Sequence, residues 1–340
     1  MYRASEFDRE KRHILQFFQK KLRDYIDRSN YSTDFRTSYS LKLLLDRSME
    51  PAFFPQRKLI SPEPASAPAV GLIVSDITNS FFAEVIPAIE ECFDAAGFTT
   101  LLGNASEDCT REERLLKTMR EFPPTGVLIC PSFGRDGFGA QPLRLIGRLP
   151  TVAFARPAGG LDYVGVNNVY GAELAVDHLY QIGHRKIAFV GGEPQAVARQ
   201  ERLEGYQRAL TRRDLPLELR WMVPSSPNRC GGYRNTAGLL ELENPPTAAV
   251  CFNDLVAFGL VQALQQAGRK PGAEFGVIGF DDVPVVLNSC TLLTTVDTSP
   301  RQLGEVAAEL LLRRIAKPDS LLQKVILQPR LIVRDSCGTT

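Results

Sequence analysis

The chain has 340 residues, room for roughly two domains of ~150, and its 44% apolar and 23% charged content is that of an ordinary globular protein. A net charge of +1 supplies no global field to gather nucleic acid, and the charge is uneven, since residues 1–68 hold 13 Lys and Arg against 9 Asp and Glu. Seven widely spaced cysteines without a C-x-x-C pair argue for free thiols rather than a disulfide frame or zinc site, and with no secretory signal or membrane-length apolar run they place the chain in the cytoplasm.

Residues 6–28 read as one amphipathic helix, with Ile14, Phe18, Leu22 and Ile26 on a stripe, Phe17 and Tyr25 beside it, and Lys, Arg and Asp opposite. The stripe suits docking on the body or on a partner chain, and the basic face suits a DNA contact; the pattern leaves both open. Residues 29–40 are polar and loop-like, and 41–45 begin a second short helix. Prolines at 51, 55, 62, 64 and 68 follow. The last three forbid a regular helix and favour an extended linker, so the domain boundary is set at 68/69.

From Val70 onward, strand and helix signals alternate. Apolar runs at 70–74, 98–102, 127–130, 151–154, 187–190, 248–252 and 275–278 read as buried strands. Helical periodicity fills 81–96, 110–121, 170–182, 197–210, 231–241 and 254–267. A last helix, 300–315, precedes closing strands at 324–327 and 331–333. Such alternation predicts parallel βαβ units covered on both faces. The series restarts near residue 163. The expected fold class is therefore α/β, two Rossmann-like parallel-sheet lobes with a ligand cleft between them, behind a short, mainly helical N-terminal segment.

Few residues offer catalysis. His13, His178 and His184 are not at metal-ligand spacing, and neither a G-x-S-x-G elbow nor a phosphate loop of the G-x-x-x-x-G-K-[ST] form is present. Gly191-Gly192 suits a tight strand-to-helix turn. The polar residues at predicted strand ends are more informative: Asp76 and Asn79, Arg156, Asn253 and Asp254, Asp281 and Asp282, with Arg202 beyond the 187–190 strand. Asp accepts from hydroxyls, Arg donates in a fork and Asn does both, the set a polyhydroxylated ligand needs, with Phe81 and Phe82 as an apolar platform. Each of Asn253, Asp281 and Asp282 equally suits a helix cap or turn.

The segments GLIVSDITNSFFAEV (71–85), VGVNNVYGAELAVDHLYQIGHRKIAFVGG (164–192), RLEGYQRAL (202–210), AAVCFNDLVAFGLVQAL (248–264), VIGFDD (277–282) and TTVDTSPRQLGEVAAELLL (294–312) run in the order found in one family. The body from about 69 to 335 resembles the effector-binding core of the lactose/galactose repressor family of transcriptional regulators. The resemblance implies a two-lobed periplasmic-binding-protein-like core whose chain crosses between lobes three times. Lobe one would take about 69–163 and 294–322, and lobe two about 164–293 and 323–336. Family members bind a small effector in the cleft, usually a sugar or its phosphate, sometimes a nucleobase. Carried over by position, the effector contacts would be Asp76, Phe81 and Phe82 from the D-x-x-N-P-F-F motif, Arg156, Arg202, Asn253 and Asp281. Ser80 stands where that motif has proline, Ala155 where an Asp-Arg pair has its carboxylate, Asn167-Asn168 where an Asp-Asn pair is usual, and Pro227 where some members have an aromatic wall.

The resemblance implies an effector-responsive repressor, homodimeric, without cofactor, metal site or catalytic residues, with operator DNA as partner. Residues 1–68 depart from it. They lack the headpiece pattern D-V-A-x-x-A-G-V-S-x-x-T-V-S-R, and their prolines preclude the hinge helix that inserts a leucine into the minor groove. A different N-terminal module, a diverged headpiece, and an altered start or reading frame stay open. DNA binding by this chain as written is therefore doubtful, and a cytoplasmic sugar-binding protein without DNA binding is the alternative. Replacing Arg202 or Asp281 by Ala is expected to weaken effector binding roughly 10- to 150-fold and leave the fold intact.

Overall fold

The computed structural model describes residues 68–132, 145, 147–284 and 292–338. The expected helices at 6–28 and 41–45 and the linker up to residue 67 lie outside these. Strands β1 (Ala69–Val74), β2 (Thr99–Asn104), β3 (Gly126–Ile129), β4 (Thr151–Phe154), β5 (Asp162–Val166) and β11 (Lys324–Leu327) form one sheet, in the order β11-β5-β4-β3-β1-β2, all parallel. Strands β6 (Ile187–Val190), β7 (Met222–Val223), β8 (Ala248–Cys251), β9 (Gly276–Asp281), β10 (Thr294–Asp297) and β12 (Arg330–Ile332) form the second, in the order β12-β10-β9-β8-β6-β7. Only β12 runs antiparallel there. The two orders are the same pattern repeated, which is the restart that the sequence shows near residue 163.

Helices α1 (Phe81–Ala95), α2 (Cys109–Glu121) and α7 (Pro300–Ala316) go with the first sheet, with α7 against α1. Helices α3 (Asn168–Gln181), α4 (Val197–Arg212), α5 (Arg229–Leu240) and α6 (Asp254–Gln266) go with the second, paired α3 with α4 and α5 with α6. The central strands β3, β4, β6 and β8 are buried along their whole length, which is why they read as unbroken apolar runs. Helix α1 turns Val85, Ile89 and Phe93, each 0% exposed, toward its sheet at i, i+4 spacing.

The chain crosses between the sheets three times, but not where the sequence put the boundaries. Strand β5 stays in the first sheet through Val166, past the expected break at 163/164. Strand β10 pairs with β9 in the second sheet, so the crossing expected at 294 falls after Asp297. Strand β11, expected in lobe two, pairs with β5 in the first sheet. Long-range strand pairing decides membership, and no local pattern reports it. The connections are tied together where they run side by side. The Asn167 N–H donates to the Leu327 carbonyl at 2.9 Å, and the Asn167 amide to Gln328 at 3.1 Å. Arg330 donates to Asp297 at 2.8 Å. Arg314 clamps the segment leading into β11: its guanidinium takes Asp162 at 2.6 and 3.0 Å and also donates to the carbonyls of Pro318, Ser320 and Leu321.

The six described cysteines are free thiols. His178 contacts Cys337 Sγ at 3.2 Å and His184 contacts Thr247 at 3.0 Å, both inside the second lobe and with pKa values lowered by burial. No helix among the described residues is long and apolar enough to cross a membrane.

Candidate functional site

In each sheet the strand order reverses between its first and third strands in chain order, β1 and β3 in one, β6 and β8 in the other. Open α/β sheets bind ligands at such switch points, beyond the carboxyl ends of the strands. Here both switch points open on one cleft of about 530 Å³. Asp76, Phe81, Phe82, Arg156, Arg202, Asn253 and Asp281 all line it.

The first lobe contributes the β1–α1 turn. The Asp76 carboxylate accepts the Thr78 N–H at 3.0 Å and its hydroxyl at 2.8 and 2.9 Å, closing the turn on itself. Asn79 accepts the Phe81 N–H at 3.1 Å and so helps start α1. Ser80 holds φ −56°, a value proline also has. Phe81 and Phe82 stand edge to face at 5.3 Å, and Phe82 stands edge to face with Phe154 at 6.4 Å. They form the apolar wall and are 9% and 3% exposed.

Arg156 lies at the floor of the same lobe. Its guanidinium makes two parallel hydrogen bonds to Glu107, at 2.9 and 2.7 Å, and one to the Pro131 carbonyl at 2.9 Å. Sequence reasoning missed Glu107. Ala155 leaves Arg156 without a carboxylate beside it in the sequence, and the fold supplies one from 49 residues earlier. The one local signal was its place just beyond β2, a strand end like the others.

The second lobe contributes Arg202, Asn253 and Asp281. Arg202 reaches from α4 across the strand ends, 7% exposed. It donates to Asn168 at 2.9 Å, to the Phe252 carbonyl and to Asp281 at 3.3 Å, with its guanidinium 3.7 Å from the Phe280 ring centroid. Burial pushes the Asp281 carboxyl up, to about 6, against the pull of the Arg202 cation. This corrects the expectation that Arg202→Ala would leave the fold intact. The side chain satisfies a buried amide, a carbonyl and a carboxylate, so its removal strands all three, at a cost of about 3–5 kcal/mol for a broken buried pair. Asn253 caps α6 by accepting the Val256 N–H at 3.0 Å, and its amide donates to the Pro227 carbonyl at 3.0 Å. It borders the cleft while shaping both the helix start and the turn that carries Pro227. Asn167 caps α3 by accepting the Tyr170 N–H at 3.1 Å, and Asn168 bridges Arg202 and Glu201.

Two other strand-end carboxylates point elsewhere. Asp254 faces the core and Asp282 pairs with Arg334 at 2.7 Å. Both line a second hollow of about 650 Å³ beside the crossing segments, where Asp297 pairs with Arg330 and Arg301 with Glu305. None of the seven expected residues lines it. Positive-φ backbone occurs at both: Glu107 (φ 55°), Ala155 (φ 57°) and Asp281 (φ 111°) line the cleft, and Asp282 (φ 54°) and Ser299 (φ 52°) line the hollow. Non-glycine residues persist at positive φ only when their surroundings over-determine them.

Comparison with known proteins agrees with this geometry. The periplasmic binding protein-like domain matches residues 176–337. A transcriptional repressor PurR of Mannheimia succiniciproducens is 30% identical over 270 residues, covering 79% of this chain and 80% of that one. The chain belongs to the lactose/galactose repressor family. The ribose operon repressor of Haemophilus influenzae is also 30% identical, over 269 residues, covering 78% of this chain and 80% of that repressor. A LacI family transcriptional regulator from Enterococcus faecalis, solved with bound ribose, superposes with a TM-score of 0.70 at 31% identity, covering 79% of this chain and 98% of that structure. As a member of this family, the chain is an effector-responsive transcriptional regulator of the repressor type.

Proposed function

We propose that the effector is a sugar, held between the lobes by Asp76, Arg156, Arg202 and Asp281 against the wall of Phe81 and Phe82, with Asn253 positioning the rim. What carries the reading is that all seven residues converge on one cleft at the switch points of both sheets. About 530 Å³ suits a monosaccharide, and the lining pairs hydroxyl-binding groups with an aromatic face. Two LacI family regulators at 29% and 31% identity were solved with bound ribose. The protein acts by binding rather than by catalysis, in the cytoplasm and as a homodimer, with no cofactor; operator DNA is the partner that the family implies, and residues 1–68 lack the family's headpiece pattern for it. Effector binding closes the cleft and turns the first lobes of the dimer against each other. Calorimetric titration of the full chain with D-ribose tests this. Saturable heat is expected, with affinity about 10-fold lower or worse in Asp281→Asn, which trades a charged acceptor for a neutral one. Absence of heat with D-ribose and with other neutral monosaccharides overturns the reading.

A further inference from the structure

The guanidiniums that line the cleft are already paired. Glu107 holds Arg156 through two parallel hydrogen bonds, and Asp281 holds Arg202. Asp76 and Glu193 add two further carboxylates, and among the described lining residues there is no lysine or histidine. Among the described lining residues, four carboxylates thus face two guanidiniums. The Glu107 pair is built against resistance. Ser106 and Glu107 both sit in the left-handed region, at φ 54° and 55°, and the Glu107 N–H is tied to the Ser75 carbonyl at 2.6 Å. On the other side Ala155, also left-handed, turns the chain so that Arg156 meets Glu107. Two strained loops, after β2 and after β4, meet in one ion pair on the cleft floor.

We propose that Glu107 is a specificity-determining residue: paired with Arg156, it makes the cleft take an uncharged polyhydroxylated ligand and reject the phosphorylated form of the same sugar. A sugar hydroxyl both donates and accepts, so adjacent hydroxyls use the carboxylate and the guanidinium together. A phosphate dianion only accepts. It reaches Arg156 with the Glu107 carboxylate still beside it, and like charges placed together are a strong discriminator. The inference rests on the reading that the cleft binds a sugar.

The test is calorimetry on the full chain with D-ribose, D-glucose and D-fructose and with the 5- or 6-phosphate of each, for wild type, Glu107→Gln and Glu107→Asp. Circular dichroism checks that both variants fold. In wild type, a neutral sugar should bind and its phosphate should bind at least about 100-fold more weakly. Glu107→Gln, which removes the carboxylate charge held against Arg156, should narrow that ratio about 10-fold or more. Glu107→Asp, which keeps the charge and tolerates the left-handed backbone, should preserve it. Binding of the sugar with the ratio unchanged in Glu107→Gln overturns the role of Glu107 and leaves the sugar reading standing. A phosphate ester bound as tightly as its parent by wild type overturns it as well. If no neutral sugar binds, the sugar reading falls and this inference falls with it.

Discussion

Neighbouring residues at one strand end have opposite fates. Asn253 borders the cleft, while Asp254, the next residue, is 2% exposed in the core. There its carboxylate accepts the Val283 N–H at 2.9 Å and the Thr295 hydroxyl at 2.6 Å. Burial, reinforced by the negative charge of Asp281, pushes the Asp254 carboxyl up to about 8, with the two hydrogen bonds opposing. In the unfolded chain an Asp titrates near 3.9. Between about pH 4 and about pH 8 the folded state therefore keeps a proton that the unfolded state has released, and stability falls as pH rises through that window. Asp281, raised to about 6, acts in the same direction over the lower half. His178 and His184, lowered by burial, act in the opposite direction at the acid end, so the difference between variant and wild type carries the test. Asp254→Asn keeps both hydrogen bonds, with its oxygen toward Val283 and its amide toward Thr295, and has nothing to titrate. Its urea midpoint is expected to exceed that of wild type at about pH 8, and the gap should close toward about pH 5. A gap that is constant with pH refutes the buried carboxylate as its source.

Elements are held by contacts that their own sequences conceal. Helix α5 contains three glycines, a poor composition for a helix, and two of its neighbours in space explain why it survives. A Cβ on Gly232 would strike the Val256 carbonyl of α6, and one on Gly259 of α6 would strike the Arg229 carbonyl of α5, so the two helix backbones touch. Gly259→Ala should lower unfolding free energy by about 1–3 kcal/mol, read from urea melts, and loosen ligand binding because Asn253 caps the displaced helix. Gly238, also in α5, has open space around its Cβ position. Gly238→Ala should be neutral or stabilise by about 0.5–1 kcal/mol. Equal effects at both sites would remove close packing as the cause. The same logic explains what the sequence showed and what it hid. Strands β1, β2, β3, β4, β6, β8, β9, β11 and β12 and all seven described helices were legible, because each is a local period or apolar run in the sequence. Strand β5 was not read as a strand, since it opens with Asp162, whose charge is matched by Arg314 152 residues away. Strand β10, TTVD, looked polar, yet Thr294 and Thr295 are 0% and 1% exposed and bond to Ser336, Arg334 and Asp254. Strand β7 is only two residues long. At the site, the seven residues came from strand ends and motif positions, whereas Glu107 needed the fold to bring it to Arg156.

On the scale of the whole molecule, the body is a repressor's and the first 68 residues do not follow the same pattern. Affinity for DNA comes largely from phosphate contacts, and specificity from side chains that reach base edges. Residues 1–68 offer Arg9, Lys11, Arg12, Lys20, Lys21 and Arg23 for the first task, but interleave them with Glu10, Asp24 and Asp27, which oppose a phosphate backbone. For the second task they offer neither an A-G-V-S turn nor a T-V-S-R start to a recognition helix, and Pro62, Pro64 and Pro68 occupy the place of a groove-inserting hinge helix. The remaining 272 residues carry the opposite net charge and supply no compensating field. The expected outcome is weak binding, with a Kd in the non-specific range of about 10⁻⁴–10⁻⁶ M at physiological salt, and little preference for the natural upstream duplex over a scrambled one. A fluorescence-anisotropy titration against both duplexes, repeated at two salt concentrations, measures affinity, preference and salt slope together. Nanomolar binding to the natural duplex with a preference of about 1,000-fold or more would show that residues 1–68 read DNA through a motif of a different form.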